Sequence, residues 1–211
     1  MILTSFVPQS VNPENIVQKF WAKSLRTPYA TELLYLPFLL FRYRIVLSPF
    51  LGKEKAEQGL FLADLVQGTP MNIKKNTVFD TAEDLSRDFE EFFNLFAPPK
   101  NIKNRVAIRK TRIKEEQVLP VVLEEETALA RGKKMLRYDL MRVAGGLRYR
   151  KMEIVADSKR KTLYYPYWLV YYRDKKNRMR FEVFDGLSGQ KERGQIVKSI
   201  KIGLVRKGTP S

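Results

Sequence analysis

Leu163-Tyr164-Tyr165-Pro166-Tyr167-Trp168-Leu169-Val170-Tyr171-Tyr172-Arg173 is the stretch whose reading decides the fold. It is echoed upstream by Leu34-Tyr35-Leu36-Pro37-Phe38-Leu39-Leu40-Phe41-Arg42-Tyr43-Arg44. With Pro37 set on Pro166, Tyr35 meets Tyr164, Tyr43 meets Tyr172 and Arg44 meets Arg173. Downstream, Asp64-Leu65-Val66-Gln67-Gly68 matches Asp185-Gly186-Leu187-Ser188-Gly189. Upstream, Phe6-Val7-Pro8 resembles Val118-Leu119-Pro120. Motifs recurring in one order read as a supersecondary unit present twice. Both long stretches read as strands, with alternate residues pointing to opposite faces. A strand proline has no N–H for the ladder, so Pro37 is expected at a strand start, an edge or a bulge.

The flanking sequence supplies the other elements. Asn12-Pro13-Glu14 has the cap, first-turn proline and acid of a helix start. Ile16, Val17, Phe20, Trp21 and Leu25 then give one apolar face, with Trp21 assigned to the core. Strands are expected from Glu32 to Val46 and from Gly59 to Leu65. Asp80-Thr81-Ala82-Glu83 signals a linking helix that ends at Pro98-Pro99. Residues 100–114 follow, seven of them basic, and read as an extended edge strand guarded by charge. Glu124-Glu125-Glu126 opens the second helix, with Ala128, Leu129, Met135, Leu136, Leu140 and Val143 on its buried face. Beyond Gly145-Gly146 come a strand from Leu147 to Ala156, a basic hairpin loop at Asp157–Lys161, and the aromatic strand. A basic turn at Asp174–Arg178, a strand from Arg180 to Phe184 and a last strand from Ile196 to Leu204 complete the reading.

The expected class is α+β: two repeated units, each a helix packed on an antiparallel sheet, joined by an extra helix and a basic extended segment. The boundaries are 1–75 for the first unit, 76–116 for the connection, 117–205 for the second unit and 206–211 for a flexible tail. Tyr164-Tyr165-Pro166-Tyr167-Trp168 with Asp185-Gly186-Leu187-Ser188-Gly189 resembles the PepSY-like and cystatin-like small helix-on-sheet domains. That resemblance implies non-catalytic inhibitory, chaperoning or docking roles. The strong basicity and the poor signal-peptide character of Met1–Phe6 depart from a secreted inhibitor.

Composition narrows the chemistry. Hydrophobic residues at 44% and charged residues at 29% fit a folded domain rather than a disordered chain. With no cysteine and no histidine, the usual zinc, copper and haem ligands, the thiolate nucleophile and the commonest general base are missing. No cofactor is expected. The most apolar window, Leu33 to Leu51, contains Pro37, Arg42, Arg44 and Pro49, so no transmembrane helix is expected and the location is read as cytoplasmic.

The net charge of +16 is unevenly spread. Residues 1–99 hold 10 Lys/Arg against 11 Asp/Glu, which leaves 29 against 12 for residues 100–211. Such asymmetry points the second half at an anionic partner. The candidate contacts are Arg148, Arg150 and Lys151 beyond the second helix, and Lys159, Arg160 and Lys161 in the hairpin loop. Lys175, Lys176 and Arg178 lie in the next turn, and Arg105, Arg109, Lys110 and Arg112 extend the field. Phosphate contacts of this kind weaken steeply with salt. Tyr165, Tyr167 and Tyr171 share one strand face. If exposed, they would make a stacking platform for bases or a protein-docking face. Burial of both strand faces, one under the helix and one against the other unit, is the favoured arrangement. Asp64 and Asp185 would form an acid/base pair only if brought together; a turn-starting role is favoured for each.

The reading is a non-enzymatic binding or adaptor protein whose basic second half meets an anionic macromolecule. Nucleic acid ranks ahead of acidic protein or anionic lipid. The alternative is a docking or assembly factor that uses the aromatic sheet face for a protein partner, including one at a membrane surface.

Overall fold

Aromatic and aliphatic residues favour the pleated surface, and they build two long strands that form the spine of the fold. The structure is a computed structural model that describes residues 2–6, 9, 11–24, 27–51, 53–72, 77–81, 104–144 and 149–208. The strands are β1 (Ile2–Phe6), β2 (Pro28–Pro49), β3 (Lys55–Asp64), β4 (Pro70–Asn72), β5 (Thr77–Thr81), β6 (Asn104–Ile113), β7 (Tyr149–Arg173) and β8 (Met179–Asp185). The helices are α1 (Pro13–Ser24), α2 (Glu125–Ala144) and α3 (Gln195–Gly208), with a 3-10 turn at Glu115–Gln117. The sheet order is β4-β3-β2-β7-β1-β6-β5, and β8 also pairs with β7. The class is α+β and the pairing is mostly antiparallel; β1–β7 and β5–β6 are parallel.

The two proline-bearing strands lie side by side. Leu36 faces Tyr165, and on either side Tyr35 faces Pro166 and Pro37 faces Tyr164. Pro37 is inside β2, not at its start. The last β3 pair is Phe38 with Asp64, so Pro37 sits just beyond that ladder, where a missing N–H costs no strand bond. Its carbonyl accepts from the Leu65 amide at 2.8 Å, and that of Pro166 from the Gly186 amide at 3.0 Å.

Alternation sends side chains to two buried layers. On one face α2 covers strands of the first half: Ala128, Leu129 and Leu136 meet Leu39, Phe41, Phe61 and Leu65. On the same face α1 covers strands of the second half: Ile16 and Phe20 meet Trp168, Val170, Tyr172 and Phe184. Each of these helices therefore lies over the other half's strands. The opposite face buries Leu36, Phe38, Leu40, Tyr165, Tyr167 and Leu169 with Ile200 of α3. Each fully buried Leu or Phe contributes about 1.5–3 kcal/mol of transfer free energy.

Several expectations are corrected. Ile196–Leu204 is helical, inside α3, and the helix continues through Arg206, Lys207 and Gly208 of the expected tail. Asp157–Lys161 is no hairpin loop: β7 runs unbroken from Tyr149 to Arg173 and pairs with β2 along its length. The turn-like residues are absorbed in a bulge, where the register shifts between the Phe41–Arg160 and Tyr43–Ala156 pairs. The basic strand β6 is not an edge, because β1 and β5 flank it. Trp21 is 62% exposed rather than core. The expected helix after Ala82 and the Gly145-Gly146 stop lie outside the described residues.

Candidate functional site

The turns following the two β-hairpins organise the buried polar groups. Asp64 Oδ1 accepts from the amides of Val66 at 3.0 Å and Gln67 at 2.6 Å, and Oδ2 from the Thr69 amide at 2.7 Å. Asp185 Oδ1 accepts from the amides of Leu187 at 2.9 Å and Ser188 at 2.6 Å. Gly68 and Gly189 close the turns with φ of 73° and 63°, the left-handed region that glycine occupies freely. A cation from the overlying helix reaches each turn: Arg131 donates to the Gln67 carbonyl at 3.1 Å, and Lys19 to that of Ser188 at 3.3 Å. Both carboxylates are thus committed to holding backbone, as the turn reading expected.

Between these turns lies a tyrosine layer under α3. The Ser199 hydroxyl donates to Asp64 Oδ2 at 3.1 Å, and the Tyr165 hydroxyl to Asp185 Oδ2 at 2.8 Å. Tyr167 is completely buried, and its hydroxyl has no hydrogen-bond partner among the described residues. Burial, then the neighbouring Tyr165, Glu192, Asp185 and Asp64, push the Tyr167 hydroxyl far above the ordinary phenol range. Burial and then Asp185 raise Tyr165. Tyr171 is half-buried and donates to Glu32 at 2.7 Å. α3 and the sheet enclose Tyr165 and Tyr167 and leave Tyr171 half-buried, so the three do not form an exposed stacking or docking face.

The predicted cations are dispersed. Lys175, Lys176 and Arg178 are exposed in the β7–β8 turn, where Asn177 takes a left-handed φ of 58°. Asp174 organises that turn, accepting from the amides of Lys176 at 2.9 Å and Arg178 at 3.0 Å. Its carboxyl is held well below the usual range, chiefly by the Arg178 amide, with the Arg178 and Arg180 guanidinium groups adding to the effect. Arg178 is therefore engaged locally, and Lys175 and Lys176 project from the turn. Lys151 pairs with Glu153 at 3.1 Å near the other end of β7. Arg160 pairs with Glu126 of α2, and Lys161 is half-buried in mid-strand, so neither belongs to a loop. For Arg105, Arg109, Lys110, Arg112, Arg150 and Lys159 the described part is the strand backbone, and Arg148 lies outside the described residues.

No protein-family model, curated protein or solved structure matches the chain. Among the described residues no helix is long and apolar enough to cross a membrane.

The cationic surface that sequence reasoning missed is on α2. Arg131, Lys134, Arg137 and Arg142 are exposed, as are Tyr138 at 68%, Met135 at 40% and Met141 at 43%. Met135, expected on the buried face, is exposed, and Ala128, Leu129, Gly132 and Leu136 hold that side. The signal was present in the spacing: Arg131, Lys134, Met135, Tyr138, Met141 and Arg142 recur at helical intervals. α3 adds exposed Lys198, Lys201 and Arg206 on the opposite face of the sheet.

Proposed function

We propose that this protein is a non-enzymatic binding protein whose basic second half holds nucleic acid. The observation that carries the reading is the exposed basic face of α2, within a half-chain bearing 29 Lys/Arg against 12 Asp/Glu. Clustered cations with an aromatic residue among them suit phosphates and bases together, whereas an acidic protein or lipid headgroups would need only the charge. Burial of Tyr165 and Tyr167, with Tyr171 half-buried, favours this reading over a docking factor that uses the aromatic sheet face.

We also read the chain as a duplicated unit. In support, the Phe6–Tyr164 and Val118–Tyr35 bridges are both parallel, and the two turns share their bonding pattern. In this reading the two units exchange helices across the sheet.

The test is fluorescence anisotropy of a labelled oligonucleotide with the full chain over a salt series. Binding at low ionic strength, with log K falling linearly against log salt, is the expected result. No binding at low ionic strength overturns the reading.

A further inference from the structure

The α2 surface has more structure than a general positive field. Its 20 residues span about 30 Å at 1.5 Å per residue. One side is seated on the sheet through Ala128, Leu129, Gly132 and Leu136. The seat is close, since a Cβ at Gly132 would stand 2.9 Å from Phe61 Cε1. The helix is therefore held closely against the sheet along one side. Residues 130–144 carry five Lys/Arg and one acid, the helix's other acids being confined to its first turn at Glu125 and Glu126. Tyr138 occupies the middle of the solvent face, with Lys134 and Arg142 each four residues away and Arg131 seven residues away. The Tyr138 side chain is 68% exposed.

We propose that this face is a binding site for single-stranded nucleic acid, with Tyr138 stacking on a base and Lys134, Arg137 and Arg142 holding the flanking phosphates. The inference rests on the nucleic-acid reading above and adds the site and the strandedness. Charge complementarity selects a polyanion. The exposed ring at the centre selects one with accessible base faces, because a duplex hides those faces in its stack. Every base has a π-face, so the site reads sequence weakly.

The experiment uses the full chain and a fluorescein-labelled oligothymidylate of about a dozen nucleotides, within the usual site size of such proteins. A duplex of the same length is measured beside it. Tyr138→Ala is expected to weaken single-strand binding at least about fivefold, and Tyr138→Phe to restore it, since phenylalanine keeps the stacking face. Lys134→Ala with Arg137→Ala is expected to reduce the log K–log salt slope by roughly 1.4, two single-strand phosphate contacts. Tyr138 is exposed, so circular dichroism and the melting temperature should match the parent protein. Single-strand binding unchanged by Tyr138→Ala overturns this site and leaves the general nucleic-acid reading standing. Tighter binding to the duplex overturns the strandedness. Binding to neither at low salt overturns both readings.

Discussion

Asp64 and Asp185 hold their turns by the same pair of bonds, each Oδ1 taking the amides two and three residues ahead. Both side chains are buried, so truncation strands those donors away from water. Asp64→Ala and Asp185→Ala should each cost roughly 2–4 kcal/mol, the order expected when bonds to a charged acceptor are lost. The urea midpoint should fall with the m-value unchanged. A loss under 0.5 kcal/mol (roughly the surface-substitution range) would contradict the turn-holding role.

Tyr165 and Tyr167 predict opposite signs for the same chemical change. Tyr165→Phe removes the donor to Asp185 Oδ2 and should destabilise by about 1.5–3 kcal/mol. Tyr167→Phe removes a buried hydroxyl that has no partner among the described residues and should stabilise by about 1–3 kcal/mol. Phe38 already takes the matching place, opposite Asp64 as Tyr167 is opposite Asp185. Urea titrations of both variants decide the matter. A lower midpoint for Tyr167→Phe would place a bound water on that hydroxyl.

Legibility differed by element for physical reasons. The aromatic strands and Asp–Gly turns were readable because their chemistry is local: alternation, and a carboxylate that bonds its own backbone. The α1 start was equally local, with Asn12 Oδ1 accepting from the Glu14 amide at 2.9 Å. α3 was misread because Ile200, Ile202 and Leu204 alternate like a strand. Its buried positions are Ser199, Ile200 and Gly203, and two small residues conceal the helical period. Gly203 fits against Leu119 and Ser199 bonds Asp64, contacts that one sequence segment cannot announce. The Asp157–Lys161 turn signal was overridden by long-range pairing with β2. The basic face of α2 was less legible because its charges are spread at helical spacing rather than clustered in one run.

Acid dependence of stability should report Glu192. Burial, then Asp185, raise its carboxyl above the ordinary 4.5, against a smaller opposing effect of the Arg193 amide. A raised folded-state value means the native protein holds this proton more tightly than the unfolded chain. Its contribution is therefore greatest below pH 4.5 and declines as pH rises through the folded-state value. Asp174 has the opposite sign: its value is depressed from 3.8, so its contribution is present above that pH and lost as pH falls through the lowered value. The difference between parent and Glu192→Gln across a pH series should isolate the first effect. The variant should gain relative stability towards neutral pH, and an identical pH profile would contradict the assignment.

Gly132 sets how closely α2 approaches β3. On propensity alone, Gly132→Ala should stabilise the helix by about 1 kcal/mol. The added Cβ, however, would stand 2.9 Å from Phe61 Cε1 and 3.3 Å from Ala63 Cβ. Phe61 is itself confined against Phe41, with ring centroids 5.2 Å apart, so the ring cannot retreat without moving a second one. Overpacking of this kind costs typically 1–3 kcal/mol, so the net effect should be destabilising by up to about 2 kcal/mol. Phe61→Leu in the same chain should recover part of that loss by vacating the ring edge, giving a favourable coupling in a double-mutant cycle. Additive losses in the cycle would show that the Gly132–Phe61 contact does not set how α2 is seated on the sheet.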